Sequence, residues 1–260
     1  MPAALWCLYG CSGALAAMWM CGGKVGRRPI ETRAPVVGAG TKGIELSKSY
    51  KRNQVEEAIA RIVAPNCEKP PPELRTRIKR LLDLDRSIGR KVPSKEAGGA
   101  NFGFFSGEAP GTGADVSFSE YEAFALFNGL RIMNHGWPQS FAVSIMRRVR
   151  VDLEREHARI LQLDPKALFD WEAILAKDRE GDIAVDNTDP VFLTLASKEE
   201  RASDEGETPQ LSAVLRGRDK VNQFSRNVGA SSVTTFEVVT PAHRLHRELM
   251  KTEPRHRGRG

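Results

Sequence analysis

Cysteine is scarce in this chain and poorly placed for chemistry. Of the four in 260 residues, Cys7, Cys11 and Cys21 fall within the first 21 positions, which leaves Cys67 alone in the remainder. No C-x-x-C pair occurs, so the spacing spells out neither a zinc site, a redox motif nor a disulfide framework. A reducing cytoplasm is the default compartment for such a chain. Cys67 is the single body cysteine from which a Cys–His pair could be built, no such pair is evident in the sequence, and no G-x-S-x-G marks a serine nucleophile. Long hydrophobic runs are equally rare. The one present, residues 3–23, is uncharged and apolar through Trp6, Leu8, Leu15 and Trp19, with Gly10, Gly13, Gly22 and Gly23 interrupting it. No Lys or Arg precedes it, whereas a signal peptide opens on a positively charged stretch. It is read as a poorly ordered or mis-assigned leader, a spanning or anchoring segment, or a signal peptide. Membrane contact is expected only if this segment is real and retained.

What the chain does have is charge, unevenly placed. With 40% apolar and 28% charged residues it reads as an ordinary folded protein. Its length suffices for one large domain or two small ones. The net charge of +6 favours acidic partners such as nucleic acid. Residues 47–91 carry 12 Lys/Arg against 6 Asp/Glu, and residues 241–260 carry 6 against 2. Residues 178–207 reverse the balance, with 10 Asp/Glu against 3 Lys/Arg. Fields act locally, within a Debye length of about 8 Å, so this asymmetry says more than the total. The acidic stretch is also able to fold back on the basic ones.

Periodicity divides the chain into five parts. Residues 1–46 are the apolar leader and a Gly/Pro-rich linker. Residues 47–92 are expected to form a basic helical hairpin. Val55, Ala58, Ile59 and Ile62 space a helix over about 50–63, ended by Pro65; a second helix follows Pro70-Pro71-Pro72, with Leu74, Ile78, Leu81, Leu82 and Leu84 on one face. Residues 93–117 read as a glycine-rich loop or a short strand pair holding Phe102, Phe104 and Phe105. Residues 118–163 form a two-helix unit. Ser119 and Glu122 spell a capping box, Gly136 a helix stop, and Pro138 the start of a helix to about Leu163. Residues 164–260 are expected to be a small α+β part. It has a short helix over about 165–176, strands at 191–195 and 233–239, an acidic loop at 197–210, a closing helix at 241–251 and a basic tail. The fold class is mainly α, and no internal repeat is visible.

Most motifs are incomplete. Gly38-Ala39-Gly40-Thr41-Lys42-Gly43 matches G-x-G-x-x-G, but only Val36-Val37 precede it and helices follow, unlike a dinucleotide site. Gly107–Gly113 lacks the Lys-Ser/Thr of a phosphate loop. Asp182, Asp186 and Asp189 with Asn187 offer oxygen ligands for Mg²⁺ or Ca²⁺, yet their spacing is not that of a calcium loop and suits a turn before Pro190. His243 and His246 share a helix face, with His256 nearby, and no cysteine completes a zinc set. His135 suits a helix C-terminus. No cofactor or metal is therefore expected. The remaining candidates are two basic clusters, Arg75, Arg77, Lys79 and Arg80 in one helix and Arg147, Arg148 and Arg150 in another, either of which could neutralise phosphates.

Residues 118–150 carry Phe-Ser-Glu-Tyr-Glu, Leu130-Arg131-Ile132, His135-Gly136-Trp137 and Ile145-Met146-Arg147-Arg148. In this order of capped helix, glycine corner and amphipathic helix, the segment resembles part of a MerR-type winged-helix DNA-binding domain, namely the two helices that follow the wing. The chain as a whole resembles an uncharacterised bacterial protein family, a likeness that implies no activity. Together the clusters and the resemblance lead to the expectation of a non-enzymatic, cytoplasmic nucleic-acid-associated or regulatory protein. A protein-interaction module without nucleic-acid binding is the alternative. A metal-assisted hydrolase using Asp182, Asp186 and Asp189 is a remote third.

Overall fold

Ser119 opens a helix enclosed within the core. Its hydroxyl accepts the Glu122 amide at 3.2 Å, and the Glu122 carboxylate accepts the Ser119 amide at 2.6 Å, so the expected capping box forms and starts α3, Glu120–Asn134. Every residue from Tyr121 to Leu130 is buried. A helix covered all round is a core helix, and α3 is surrounded rather than merely flanked. His135 ends it, and Gly136, at φ 89°, supplies the left-handed turn that an L side chain resists. Pro138 then leads into α4, Gln139–Ile160, which packs along α3.

The computed structural model describes residues 48–67, 69–89, 102–106, 116–177, 187–197 and 210–254, all within one unit spanning Leu46–Gly260. Ahead of α3 lie strand β1 (Tyr50–Lys51), helix α1 (Arg52–Val63), helix α2 (Pro72–Ile88) and strand β2 (Ser117–Phe118). Pro72, at the first position of α2, donates no N–H where none is needed. β1 and β2 pair antiparallel, Tyr50 opposite Phe118. The anticipated hairpin partner of α1 is α2, and the two do touch. The principal partner of α1, however, is the last helix of the chain, while α2 lies against α3 and α4.

After α4 come the short helices α5 (Pro165–Leu168) and α6 (Trp171–Lys177), then strand β3 (Val191–Ser197), strand β4 (Gln210–Arg216), helix α7 (Arg218–Val228), strand β5 (Ser232–Glu237) and helix α8 (Val239–Met250). The strands form an antiparallel sheet in the order β4-β3-β5, with Thr194 opposite both Ala213 and Thr235. The helical body with a small C-terminal sheet agrees with the sequence pattern. The central strand is buried on both faces from Val191 to Ala196. Its Val191, Leu193 and Leu195 join the main core with Phe236. The other face is only partly covered by α7, none of whose residues is buried. Helix α8 begins two residues before the expected Pro241, because the Glu237 carboxylate accepts the amides of Val239 at 2.6 Å and Thr240 at 3.1 Å. Among the described residues, no helix is long and apolar enough to cross a membrane.

Candidate nucleic-acid interface

The second basic cluster does not form as a surface. Arg150 is 4% exposed, and its guanidinium donates to the carbonyls of Phe102 at 2.9 Å and Phe105 at 2.8 Å and to the Ser106 hydroxyl at 3.0 Å. Arg147 donates to Asp85 Oδ1 at 2.6 Å, to the Gly89 carbonyl at 2.9 Å and to the Asp85 carbonyl. Asp85, fully buried on α2, also accepts the amides of Gly103 and Phe104 at 3.1 and 3.0 Å. The amide of Ser106 is held by Glu122. These four charged side chains fix the 102–106 segment, whose three phenylalanines are buried in the core. Arg147 and Arg150 therefore belong to an internal clamp and not to a phosphate-binding face. The reason is positional: Arg150 lies on the stripe Met146–Arg150–Leu153–His157–Ile160, all of it buried. Of this cluster, Arg148 alone is exposed.

The first cluster does reach solvent. Arg75, Arg77, Lys79 and Arg80 are all exposed on α2, whose buried face runs through Ile78, Leu81, Leu82 and Asp85. Helical spacing separates them into two pairs. Arg75 and Lys79 lie on the flank towards α1, where Arg75 comes within 3.7 Å of Glu56 Oε2. Arg77 and Arg80 lie on the flank towards the α3–α4 corner. There Arg77 donates to Asn134 Oδ1 at 2.7 Å, and Gln139 Nε2 donates to the Arg80 carbonyl at 2.6 Å. Lys79 and Arg80 make no side-chain hydrogen bond or ion pair among the described residues.

The corner adds a second source of positive potential. Helix α4 starts beside Arg80 with no side-chain cap and no acidic residue in its first turn, so its leading N–H groups keep their partial positive charge. With 22 residues it is the longest helix described. Trp137 and Phe141 stack at 4.6 Å and brace the corner. The resulting surface comprises the Arg77 and Arg80 guanidinium groups and an uncapped helix start, with the Lys79 ammonium on the other flank of α2.

The other candidates are placed as follows. Asp189 accepts Arg159 at 2.7 Å, and Arg159 also holds Glu156, which Arg216 reaches from β4. These hydrogen bonds keep the Glu156 carboxyl below its ordinary value against the opposing effect of burial. Asn187 donates to Glu237 at 3.0 Å. Asp182, Asp186, His256, the 38–43 glycine motif and Gly107–Gly113 lie outside the described residues. Among those described, no group of three His, Cys, Asp or Glu is arranged to hold a metal ion. His135 meets Phe236 edge-on at 4.8 Å. The guanidinium of Arg131 lies 5.6 Å from the Phe236 ring and donates to the Glu237 carbonyl, a buried position that lowers its pKa. No family model, no curated protein and no solved structure matches this chain.

Proposed function

We propose that this protein binds the phosphate backbone of nucleic acid through the exposed flank of α2 and the neighbouring start of α4. Arg77 and Arg80 are the principal contacts. The observation that carries this reading is the combination at one corner of two guanidinium groups that have no acidic partner among the described residues with an uncapped helix N-terminus. Phosphate oxygens accept from both. The cations are spread along a helix instead of converging on one point, which favours a phosphate backbone over a small anion. The resemblance of residues 118–150 to the MerR type agrees with a role on DNA, with one structural consequence. Because α3 is enclosed, that helix is a scaffold for the contact surface and does not enter a groove.

The role is non-enzymatic in this reading. Binding is electrostatic and reads no sequence, so its signature is salt dependence. Each neutralised phosphate contributes a slope of about −0.9 to log K against log salt, so two contacts weaken binding roughly 12-fold between 50 and 200 mM salt. Fluorescence anisotropy of a labelled random duplex with the full chain measures this. Affinity that is absent at 50 mM, or indifferent to salt, contradicts the proposal.

A second reading, a protein-interaction module, is favoured by the sheet. Leu211 on the edge strand β4 is 40% exposed, and α7 leaves the apolar outer face partly open. It predicts a concentration-dependent mass in sedimentation and no retention of nucleic acid.

A further inference from the structure

Helix α8 packs against α3 and α4, and three histidines on α4 and α8 lie close enough there to act on one another electrostatically. His157, on α4, is 5% exposed, with its ring stacked on Phe124 at 4.5 Å and edge-on to Tyr121 at 5.9 Å. His243, on α8, has a buried Nε2 with no hydrogen-bond partner among the described residues. His246, one turn further along α8, has its Nδ1 2.5 Å from Glu120 Oε1 at the start of α3.

The surrounding charges leave this trio poorly compensated. On α3, Glu122 is committed to Ser119 and Ser106, and Glu120 meets His246. On α4 itself, Glu154 lies 3.7 Å from Arg150, and Glu156 is held by Arg159 and by Arg216 of β4. On α2, Asp85 answers Arg147. On α8, Glu248 pairs with Lys251. Tyr50 of β1 is buried and kept in its neutral form by desolvation and by Glu120. Burial first, then the facing charges of His246 and His243, push the pKa of His157 down to about 4. Burial and His246 lower that of His243. Both rings are therefore neutral in the docked arrangement at pH 7.

We infer that this cluster is an acid-sensitive latch: α8 stays docked while His157 and His243 are neutral, and their protonation, with Glu120 the one carboxylate among the described residues that meets the trio, releases α8 from the body. Release frees more than one helix. Ala242, Leu245 and Leu249 leave the core, and the contact of α8 with α1 is lost together with the 3.0 Å bond from Gln54 Nε2 to the Thr252 carbonyl. Acid thus uncovers an apolar face on each of α1 and α8.

The sign follows from linkage. A histidine whose pKa is depressed by docking favours the docked state fully above its free value of about 6.5, and that advantage declines as the pH falls towards about 4, below which it changes no further. At pH 5 a free ring is almost wholly protonated and the docked ring is not, so the docking equilibrium shifts by at most about 30-fold for His157, the limit set by a ring that regains its free value on release.

Hydrogen exchange of the full chain, corrected for the intrinsic pH dependence of exchange, tests this. Protection of the α8 amides is expected to fall several-fold, up to about 30-fold for His157, between pH 7.5 and 5, while that of α3 holds. His157→Phe, which keeps a ring against Phe124, is expected to flatten the α8 profile. Glu120→Gln, which removes the compensating charge at a half-buried helix start, is expected to move the loss to higher pH. Equal α8 protection at the two pH values overturns the latch. So does a His157→Phe profile as steep as the parent, or a Glu120→Gln profile that superimposes on it.

Discussion

Replacing Asp85 by Asn tests the internal clamp most sharply, because the change keeps shape and removes charge. The native carboxylate has no exposure, and three donors converge on it: the amides of Gly103 and Phe104 and the Nε of Arg147. An asparagine carbonyl can satisfy one side of this arrangement. Its NH₂ group must then face an N–H donor, so one hydrogen bond is lost and two donors oppose each other. Arg147, with a side chain 13% exposed, is left without its counter-charge. Breaking a buried pair in this way costs about 3–5 kcal/mol. For a folded unit of this size that is a fall in Tm of roughly 10 °C. Asp152→Asn is the matched control. It breaks a pair with Arg155 in which both side chains are more than half exposed, and such pairs are worth under about 1 kcal/mol. Urea unfolding with parallel calorimetry measures both variants. A cost for Asp85→Asn below about 1 kcal/mol, or one equal to the control, refutes the claim that the clamp holds the 102–106 segment in place.

Two further substitutions probe the core and the cap. Gly129→Ala places a methyl group 2.9 Å from Phe104 Cζ and 3.1 Å from Cε1, so the ring must shift; a loss of about 1–3 kcal/mol in urea unfolding is expected despite the better helix propensity of alanine. Ser119→Ala removes the acceptor for the Glu122 amide and is expected to cost about 1 kcal/mol, measured in the same way, with the helix content of the folded state unchanged.

The helices were the most legible part of the sequence, because their signals are local. The Ser119/Glu122 box, the Gly136 stop and the spacing of Val55, Ala58 and Ile59 each depend on residues within a few positions of one another. The apolar spacing of β3 and β5 was readable for the same reason. Strand β4 and helix α7 were not anticipated. Gln210 adjoins an acidic, polar run that reads as loop, and the Val221, Phe224 and Val228 stripe of α7 is short and never fully buried. The burial of Phe102, Phe104 and Phe105 in a glycine-rich stretch depends on partners 16 to 48 positions away, beyond any window.

The sorting of the arginines was partly readable. Arg150 and Asp85 each continue an apolar stripe, on α4 and α2, and a charge in such a position calls for a buried partner. Counting basic residues along the chain grouped Arg147 and Arg150 with the exposed Arg148. Face by face, they separate. The histidine cluster was hidden for a different reason. His243 and His246 were visible as a pair on one helix, but His157 and Glu120 join them from two other helices, and only the packing of α8 brings all four together.

The central claim is that the α2 flank at the α3–α4 corner binds phosphate. Its most direct test is the salt dependence of duplex binding for the parent chain, for Arg77→Ala/Arg80→Ala and for Arg155→Ala, an exposed arginine of α4 outside the surface. The double variant is expected to weaken binding at 50 mM salt and to flatten the log–log slope by about 2, with Arg155→Ala matching the parent. A double variant that binds with the parent's affinity and slope would contradict the account.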